Sequence, residues 1–362
     1  MTAAALSSRH PLDEEHLRDR VGSALAAFLA HQDSVLADIA ESLLPVAEAV
    51  REFLLDGGKR LRPGFCYWGW RGAGGADCDE AVAAAACLEL LQASALIHDD
   101  LMDSSDTRRG RPSVHRHFEG LHRAGGWHGS AEGFGEAAAV LLGDLCLVWT
   151  DELYFSSGLP AESLLRARPH LDLMRTELMA GQYLDVLEQA VGGGSVERAG
   201  RVLRYKSAKY TVERPLQVGA VLAGAGKDLL EAYSAFGLPL GEAFQLRDDV
   251  LGVFGDPSQT GKPAGDDLRE GKRTLLVALA EQEGTARDAR LVTELLGDPA
   301  LDAAGVATLQ EVIRRSGALE EVERTIQRLT DQALDALDEA DVLPRAREVL
   351  RRLAEVATRR SS

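Results

Sequence analysis

Aspartate residues recur in two stretches of this 362-residue sequence, at a spacing that could hold metal ions. The first stretch contains Asp99, Asp100 and Asp103. The second contains Asp248 and Asp249. If the first stretch is helical, Asp99 and Asp103 are one turn apart, so both carboxylates project from one helix face. Neighbouring carboxylates raise each other's pKa unless a cation lies between them, so this spacing indicates a metal site.

Arginine residues follow the first aspartate stretch. Arg108 and Arg109 come within about two helical turns of Asp103. A guanidinium group presents a fork of N–H donors that suits phosphate oxygens. Carboxylates beside paired arginines therefore indicate a metal-bound phosphate or diphosphate. On its own, an acidic cluster is more often a solvated helix face, so the interpretation depends on other segments.

The composition favours a helical protein with a large core. Hydrophobic residues make up 45% of the sequence and aromatic residues only 5%, and β-branched runs are scarce. Apolar residues recur at helical spacing, without tandem repeats or alternating strand patterns. We therefore predict an all-α fold in one domain that spans residues 13–362, preceded by a disordered segment, residues 1–12.

Charge and cysteine content exclude several classes of protein. The net charge of −17 argues against a nucleic-acid binder, which is usually basic. The four cysteines form no CxxC pair and are predicted to be reduced thiols. No apolar run of about 20 residues lacks a charged residue, and no signal peptide is recognisable. We therefore predict a cytoplasmic protein without a transmembrane segment.

A glycine-rich region follows the first aspartate stretch. Residues 120–135 are predicted to form an irregular connection. Four histidines in and before this region lack the helical spacing of a metal-ligand pair, so we predict that they lie at the surface. They are His115, His117, His122 and His128.

Seven segments match, in order, the pattern of the trans-prenyl diphosphate synthases, or polyprenyl synthetases, which this sequence resembles. The segments are residues 57–63 (GGKRLRP), Gln92, and residues 99–110, 181–185, 206–207, 244–249 and 261–272. The resemblance covers residues 20–340 and is strongest to bacterial geranylgeranyl diphosphate synthases. It implies the isoprenoid synthase fold, a single-domain helical bundle around a deep central active-site cavity. It also implies a homodimer.

The resemblance implies a reaction as well. An allylic diphosphate (dimethylallyl, geranyl or farnesyl) condenses head to tail with isopentenyl diphosphate to give an all-trans prenyl diphosphate. About three Mg²⁺ ions neutralise the departing diphosphate, and the matching ligands are Asp99, Asp103 and Asp248. Asp100 and Asp249 orient waters or basic neighbours around those ligands.

Further matching positions bind the two substrates in the family. By resemblance, cationic side chains hold the allylic diphosphate, and they are Arg108, Lys206, Lys262 and Lys272. Isopentenyl diphosphate uses no metal, and the matching residues are Lys59, Arg62, Gln92 and Arg109. The resemblance therefore implies two separate anion sites.

Other matching positions stabilise the allylic cation. By resemblance, the groups that act are the backbone carbonyl of Lys206, the hydroxyl of Ser207 and the amide of Gln245. Gln182 and Asp185 line the same region. No protein base is evident, and the expected proton acceptor is the departing diphosphate.

The second aspartate stretch departs from the family pattern. Gly252 stands where a third acid is expected. Asp256 follows in the next turn and could substitute for it. Ser207 stands where threonine is commoner, which keeps the hydroxyl.

Product length in this family depends on the residues that precede Asp99. Ser94 and Ala95 lie about one helical turn (about 5.4 Å) below Asp99, and Leu91 lies about two turns below. A bulky aromatic at the fourth or fifth position before the first aspartate stops growth at fifteen carbons, whereas Ser94 and Ala95 are small. We therefore predict geranylgeranyl diphosphate (C20) as the main product.

Three alternatives stay open. The product could be longer (C25 or above) or could be farnesyl diphosphate. The chain could also be a non-catalytic partner subunit of a heteromeric synthase, although such subunits tend to lose the aspartates. A terpene cyclase fits less well, because it has no need of the second anion site that residues 57–62 indicate.

Overall fold

A computed structural model describes residues 10–255, 265–298 and 300–358. Within these residues the regular structure is helical, apart from one two-stranded hairpin, which confirms the all-α prediction. The chain divides into two compact units. The first comprises residues 1–168, 218–225 and 343–349, and the second comprises residues 169–217, 226–342 and 350–362. A single domain over residues 13–362 stays a prediction.

The first unit is built around one long apolar helix, α4. Its helices are α1 (Leu17–Ile39), α2 (Leu44–Leu55), α3 (Leu61–Gly72), α4 (Asp79–Met102), α5 (Val114–Gly125) and α6 (Ala131–Phe155). Strands β1 (Thr107–Arg108) and β2 (Arg111–Pro112) lie between α4 and α5. Helix α4 packs against α1, α3 and α6, which buries its alanine and leucine side chains. Pro45 is the second residue of α2, in the first helical turn, where proline is tolerated.

Helices α4 and α6 are long and apolar enough to cross a membrane by length and composition alone. In α4, 72% of the most apolar window is buried. Burial in the first unit therefore accounts for its apolar composition. In α6 the buried share is 44%, and the helix exposes several apolar side chains.

The N-terminal segment is ordered earlier than the sequence suggested. Residues Pro11–His16 form a short 3₁₀ segment that is interrupted at Glu14 and Glu15, and Leu12 is fully buried. A Cβ at Gly64 would lie 2.3 Å from a Leu12 methyl carbon, so the glycine makes room for this leucine. The prediction of disorder is therefore wrong for residues 10–12, because Leu12 packs into the core of the first unit. Residues 1–9 lie outside the described residues.

The glycine-rich region is mostly helical, which corrects the prediction of an irregular connection over residues 120–135. Helix α5 continues to Gly125, and α6 begins at Ala131. Gly126 ends α5 in a left-handed conformation, and the Ser130 hydroxyl accepts the Gly133 N–H at 3.0 Å. Only residues 126–130 connect the two helices.

Two of the four histidines are buried, which corrects their prediction as surface residues. His115 and His122 are 6% and 5% exposed. The His122 ring packs edge-on against Trp127 and tilted against Phe134, so an aromatic cluster draws it inward. His117 and His128 are exposed, as predicted.

The second unit is built around helix α10. Helix α7 (Ala161–Val191) carries the chain into this unit. The elements that follow along the chain are α8 (Val196–Val202), a π-helix (Leu203–Glu213), α9 (Arg214–Leu222), α10 (Lys227–Phe254), α11 (Asp266–Arg269), α12 (Leu275–Glu283), α13 (Ala286–Leu295), α14 (Ala303–Arg315), α15 (Ala318–Glu339) and α16 (Pro344–Thr358). Residues 218–222 of α9 and 344–349 of α16 belong to the first unit. Helix α10 packs against the π-helix and α15. A Cβ at Gly241 would lie 2.5 Å from the Ala208 carbonyl oxygen, so this glycine permits the close approach of α10 to the π-helix.

Candidate active site

The last turn of α4 brings Asp99 and Asp103 together. The Asp103 N–H donates to the Asp99 carbonyl oxygen at 2.8 Å, which places the two residues one turn apart. Both residues are partly exposed. Helical geometry thus sets their carboxylates on one face, as the spacing predicted.

The neighbouring Asp100 points into the protein. It is 1% exposed, and the Arg108 guanidinium donates to both of its carboxylate oxygens, with Nε at 2.7 and 2.9 Å and Nη2 at 2.5 Å. A bidentate pair of this kind fixes the plane of the guanidinium. The second aspartate of the stretch therefore positions the arginine that we predicted to bind the allylic diphosphate.

A β-hairpin with a two-residue turn directs the side chains of Arg108 and Arg109 to different partners. Strands β1 and β2 pair antiparallel, with Arg109 and Gly110 in the turn at φ of +53° and +74°. Two successive positive φ values are the signature of a type I′ turn. Arg108 reaches back to Asp100, whereas Arg109 donates to the carbonyl oxygens of Phe53 and Asp56 at 3.2 and 3.3 Å.

The connection between α2 and α3 forms a positively charged surface with Arg109. Gly58 has a φ of +105°, and a Cβ there would lie 3.7 Å from Arg109 Nη2. Burial lowers the pKa of Arg109, and the positive charges of Arg108 and Arg60 lower it further. A bound anion would relieve this repulsion. Lys59 is exposed in the same connection.

An internal ion pair that the sequence did not suggest holds this connection. Arg60 has a φ of +52°, and its Nη1 lies 2.5 Å from Glu89 Oε2 on α4. Its Nη2 donates to the Leu54 carbonyl oxygen at 2.5 Å. Both charged side chains are about 8% exposed, so they are desolvated together. The pair fixes the segment that carries Lys59 and leads to Arg62.

Helix α4 presents one partly exposed face below Asp99. Gln92 and Ala95 lie on it with Asp99, and all three are partly exposed. Leu91 and Ser94 are fully buried. Of the three residues that we predicted to set product length, Ala95 therefore lies on the face of Asp99, whereas Leu91 and Ser94 contribute to the core of the first unit.

The π-helix of the second unit carries Lys206 and Ser207. Lys206 Nζ lies 2.6 Å from Asp185 Oδ2. A Cβ at Gly181 would lie 2.3 Å from the Lys206 nitrogen, so α7 touches the π-helix backbone through this glycine. Gln182 follows Gly181 on α7. Residues with π-helical geometry occur frequently at functional sites.

Helix α10 carries Gln245, Asp248 and Asp249. Gln245 Nε2 donates to Asp249 Oδ1 at 2.8 Å, and Asp249 is 7% exposed. Burial raises the pKa of Asp249 to about 7, and the negative charges of Asp267 and Asp248 add to the shift. A cation beside these carboxylates would relieve their repulsion.

A short segment after α10 brings in a lysine. Lys272 Nζ lies 2.5 Å from Glu270 Oε2 and 3.5 Å from Asp267 Oδ1. Lys262, the other lysine that we predicted to bind the allylic diphosphate, lies outside the described residues, as does Asp256.

A sequence model of the polyprenyl synthetase family matches residues 45–313. The chain belongs to the polyprenyl synthetase family. A geranylfarnesyl diphosphate synthase of Aeropyrum pernix is 33% identical over 285 residues, covering 78% of this chain and 83% of the relative. A (2E,6E)-farnesyl diphosphate synthase of Mycobacterium bovis is 31% identical over 301 residues, covering 82% and 78%.

A solved structure supports the same assignment. Geranylgeranyl pyrophosphate synthase from Corynebacterium glutamicum, complexed with isoprenyl diphosphate and magnesium, is 44% identical to this chain. It superposes with a TM-score of 0.92 and covers 95% of this chain and 99% of its own. This polyprenyl synthetase is therefore a prenyltransferase with the isoprenoid synthase fold.

Enzymes of this family depend on Mg²⁺, and the donor set of this chain fits that ion. The candidate ligands Asp99, Asp103 and Asp248 offer carboxylate oxygens, which Mg²⁺ prefers. Among the residues that the structure describes, no group of three or more His, Cys, Asp or Glu side chains is arranged to hold a metal ion.

Proposed function

We propose that this polyprenyl synthetase condenses an allylic diphosphate with isopentenyl diphosphate head to tail, giving all-trans geranylgeranyl diphosphate (C20). The observation that carries the proposal is the last turn of α4. It combines Asp99 and Asp103 on one face with an arginine that Asp100 holds in a bidentate pair. Carboxylates bind Mg²⁺ and a guanidinium binds phosphate oxygens, so this combination suits a metal-bound diphosphate.

The allylic diphosphate would be held by metal ions and by cationic side chains. Asp99, Asp103 and Asp248 would bind about three Mg²⁺ ions, which neutralise the charge that develops on the leaving diphosphate. Arg108, Lys206 and Lys272, with Lys262, would bind the phosphate oxygens directly. Lys206 and Lys272 are each held by a neighbouring carboxylate, so their ammonium groups are already positioned.

Isopentenyl diphosphate would be bound without metal. Lys59, Arg62, Gln92 and Arg109 are the groups that we assign to it. Arg109 supports this role because its guanidinium lies among other positive charges beside the α2–α3 connection. An anion there compensates several cations at once.

The allylic cation would be stabilised by dipoles. The Gln245 amide N–H donates to Asp249, which leaves the amide oxygen as the group that can face a cation. The Lys206 carbonyl and the Ser207 hydroxyl would act from the π-helix. Gln182 and Asp185 would complete this wall, and Asp185 also holds the Lys206 ammonium.

The C20 product length rests on Ala95 and on similarity. Ala95 is the small residue on the face of Asp99, so this face has no aromatic floor one turn below the aspartate. A solved structure at 44% identity carries the geranylgeranyl name. A C25 product is the second candidate, because the Aeropyrum pernix relative is named a geranylfarnesyl diphosphate synthase.

Product analysis tests the proposal. The purified chain is incubated with Mg²⁺, radiolabelled isopentenyl diphosphate and, in separate reactions, dimethylallyl, geranyl or farnesyl diphosphate. After dephosphorylation, chromatography is expected to show C20 alcohol from every primer, and none with excess EDTA. Absence of condensation with every primer would contradict the proposal and favour a non-catalytic partner subunit. A C25 or C15 alcohol would keep the activity and correct the product length.

A substitution of Ala95 tests whether this residue limits the length of the product. Ala95→Phe places a ring one turn below Asp99 and is expected to shift the main product from C20 to C15, with folding retained. Ala304→Phe, at an exposed position of α14, is the matched control and should leave the product unchanged. An unchanged distribution in Ala95→Phe would mean that Ala95 does not face the growing chain.

We also propose that the enzyme is a cytoplasmic homodimer. Helix α6 exposes apolar side chains at seven-residue intervals, which places them in one stripe; they are Phe134, Leu141, Val148 and Phe155. A stripe of this kind favours association with a second copy. Light scattering is expected to give twice the chain mass of 38.9 kDa, and a mass of 38.9 kDa would contradict the proposal.

A further inference from the structure

A closed ring of charged and polar side chains lies against the π-helix. Its members come from four helical elements of the second unit, and each lies within 3.4 Å of the next. The ring consists of Glu177 from α7, Lys209 and Glu213 from the π-helix, Arg214 and Gln217 from α9, and Ser234 from α10. The function proposed above gives none of these residues a role.

Hydrogen bonds connect most of the ring, beginning with a bidentate pair. Arg214 Nε and Nη2 donate to the two carboxylate oxygens of Glu177 at 2.6 and 2.7 Å. Arg214 Nη1 donates to Gln217 Oε1 at 2.6 Å. Gln217 Nε2 donates to the Ser234 hydroxyl at 2.8 Å, and that hydroxyl donates to Glu213 Oε1 at 2.7 Å. The bonds therefore run from α7 through α9 and α10 to the last residue of the π-helix.

The ammonium group of Lys209 closes the ring. Its Nζ lies 3.1 Å from Glu213 Oε2 and 3.4 Å from Glu177 Oε1. Two cations and two carboxylates thus balance each other, and each of these side chains is at most 13% exposed. Burial alone would raise the pKa of Glu177, but the neighbouring Arg214 and Lys209 hold it below its ordinary value, so the carboxyl stays ionised.

The energetics of such a ring indicate a role in geometry. The cost of removing four charges from water offsets much of their mutual attraction, and apolar side chains of similar volume often stabilise a fold as well or better. A buried polar network in which the groups satisfy one another does, however, favour one arrangement of the elements that carry it. The π-helix has most need of this, because long runs of π-helical hydrogen bonds are rare.

The ring holds the π-helix at a hydrogen bond that defines its geometry. The Arg214 N–H donates to the carbonyl oxygen of Lys209, five residues earlier, so both ends of this bond carry side chains of the ring. A Cβ at Gly237 would lie 2.9 Å from the Glu213 Cα, so this glycine lets α10 approach the end of the π-helix closely. The backbone and the side chains therefore fix the same five-residue spacing.

Lys206 and Ser207 precede Lys209 in the π-helix, so their orientation depends on that spacing. A return to α-helical hydrogen bonds would shift the register by one residue. Each residue of an α-helix turns the chain by about 100°, so groups on the shifted side would point elsewhere. The carbonyl and the hydroxyl that we assign to the allylic cation are among those groups.

We propose that the ring holds the π-helix in the register that aims the Lys206 carbonyl and the Ser207 hydroxyl at the allylic cation. The proposal rests on the function proposed above. Lys209 and Glu213 are positioning residues: their side chains bind within the ring, and they act through the π-helix backbone. Their effect should appear when the allylic C–O bond breaks and its electron pair leaves with the diphosphate.

Substitution of both positions by uncharged residues of similar size tests the proposal. Lys209→Met with Glu213→Gln leaves Glu177 and Arg214 paired, so the variant should melt near the wild-type temperature. The kcat for condensation is expected to fall by about 10- to 100-fold, with KM for each diphosphate within about threefold of the wild type. A purely structural role would leave kcat unchanged in a variant that melts as the wild type does.

Hydrogen exchange measures the π-helix without turnover. Mass spectrometry of peptides that cover residues 203–213 is expected to show amide exchange about tenfold faster in the double variant. Lys227→Met with Glu231→Gln is the matched control, because it makes the same changes in an exposed i, i+4 pair of α10. It should leave both kcat and the exchange of residues 203–213 unchanged.

Glu213→Gln alone keeps Lys209 paired with Glu177 and serves if the double variant fails to fold. It should show both changes by at least about threefold. Wild-type kcat with wild-type exchange in either folded variant would overturn the proposal, as would a raised KM with unchanged kcat. If the wild type forms no prenyl diphosphate, the proposed function fails, and the exchange of residues 203–213 still decides whether the ring holds the π-helix.

Discussion

The first aspartate stretch takes its parts from neighbouring residues, whereas the second takes them from separate segments. In the first, one helical turn sets Asp99 and Asp103 on a face, and Asp100 pairs with Arg108. In the second, Asp248 stands on α10, and the Asp267 carboxylate, from a separate segment, lies beside Gly252 one turn further along that helix.

The buried second aspartate of each stretch shows the same contrast. Asp100 is bound by a guanidinium through charged hydrogen bonds. Asp249 accepts a neutral amide N–H from Gln245 and has a raised pKa. One stretch therefore carries its own compensating cation, whereas the other gathers negative charge. Two stretches with similar sequences can therefore differ in the contacts that hold their aspartates. Substitutions in each stretch test these contacts separately.

Removal of a metal-binding carboxylate should have the largest effect. Asp99→Asn and Asp248→Asn each remove one negative ligand and are expected to lower kcat by about 10³-fold, or about 4 kcal/mol, at saturating Mg²⁺. Steady-state incorporation of radiolabelled isopentenyl diphosphate measures the loss. Asp335→Asn is the control and should retain wild-type kcat. A loss in only one of the two variants would mean that the other stretch does not bind the metal.

The pair between Asp100 and Arg108 should have an intermediate effect. Asp100→Asn leaves Arg108 without its charged partner, so KM for the allylic diphosphate should rise by about 10- to 100-fold, with KM for isopentenyl diphosphate unchanged. The free energy of unfolding should fall by about 1–3 kcal/mol. Kinetics with each substrate varied in turn, together with urea denaturation, give both quantities.

The exposed ion pair between Asp106 and Arg116 offers a matched control. Asp106→Asn makes the same chemical change, and it should alter stability by less than about 0.5 kcal/mol because solvent screens this pair. Equal effects of Asp100→Asn and Asp106→Asn would mean that the buried pair positions nothing.

The effect of Asp249 on the stability of the folded protein should depend on pH. Burial raises its pKa to about 7 in the folded state, above the ordinary carboxyl value. Its contribution to stability is therefore present at low pH and is lost as pH rises from about 4 to 7, by up to about 4 kcal/mol.

Asp249→Asn removes this titration. In metal-free buffer with EDTA, the stability of the variant relative to the wild type should increase between pH 5 and pH 8, as measured by urea denaturation. Asp335→Asn should show no such trend. A difference that stays constant across this range would contradict the raised pKa.

The local parts of the site were predictable from the sequence. The i, i+4 spacing of Asp99 and Asp103 needs only a helix, and the helical spacing of apolar residues along the chain favours one. Helical geometry then placed Ala95 below Asp99, but it did not reveal that Leu91 and Ser94 are buried, since burial depends on neighbouring helices.

Parts that depend on tertiary contact were not predictable. Nothing near Gly252 in the sequence points to Asp267, because the two meet only through packing. The pair of Arg60 with Glu89 joins a loop to an apolar helix, and a single glutamate in such a helix is a weak signal. The π-helix around Lys206 lies against Gly181 of α7, and no periodicity in the sequence marks it.

A double-mutant cycle tests most directly whether the two aspartate stretches serve one metal-bound diphosphate. The kcat for condensation is measured in Asp99→Asn, in Asp248→Asn and in the double variant, at saturating Mg²⁺ and substrates. If both stretches hold the same leaving group, the second substitution should add less than about tenfold to the loss caused by the first. Losses that multiply, to about 10⁶-fold in the double variant, would contradict a shared site.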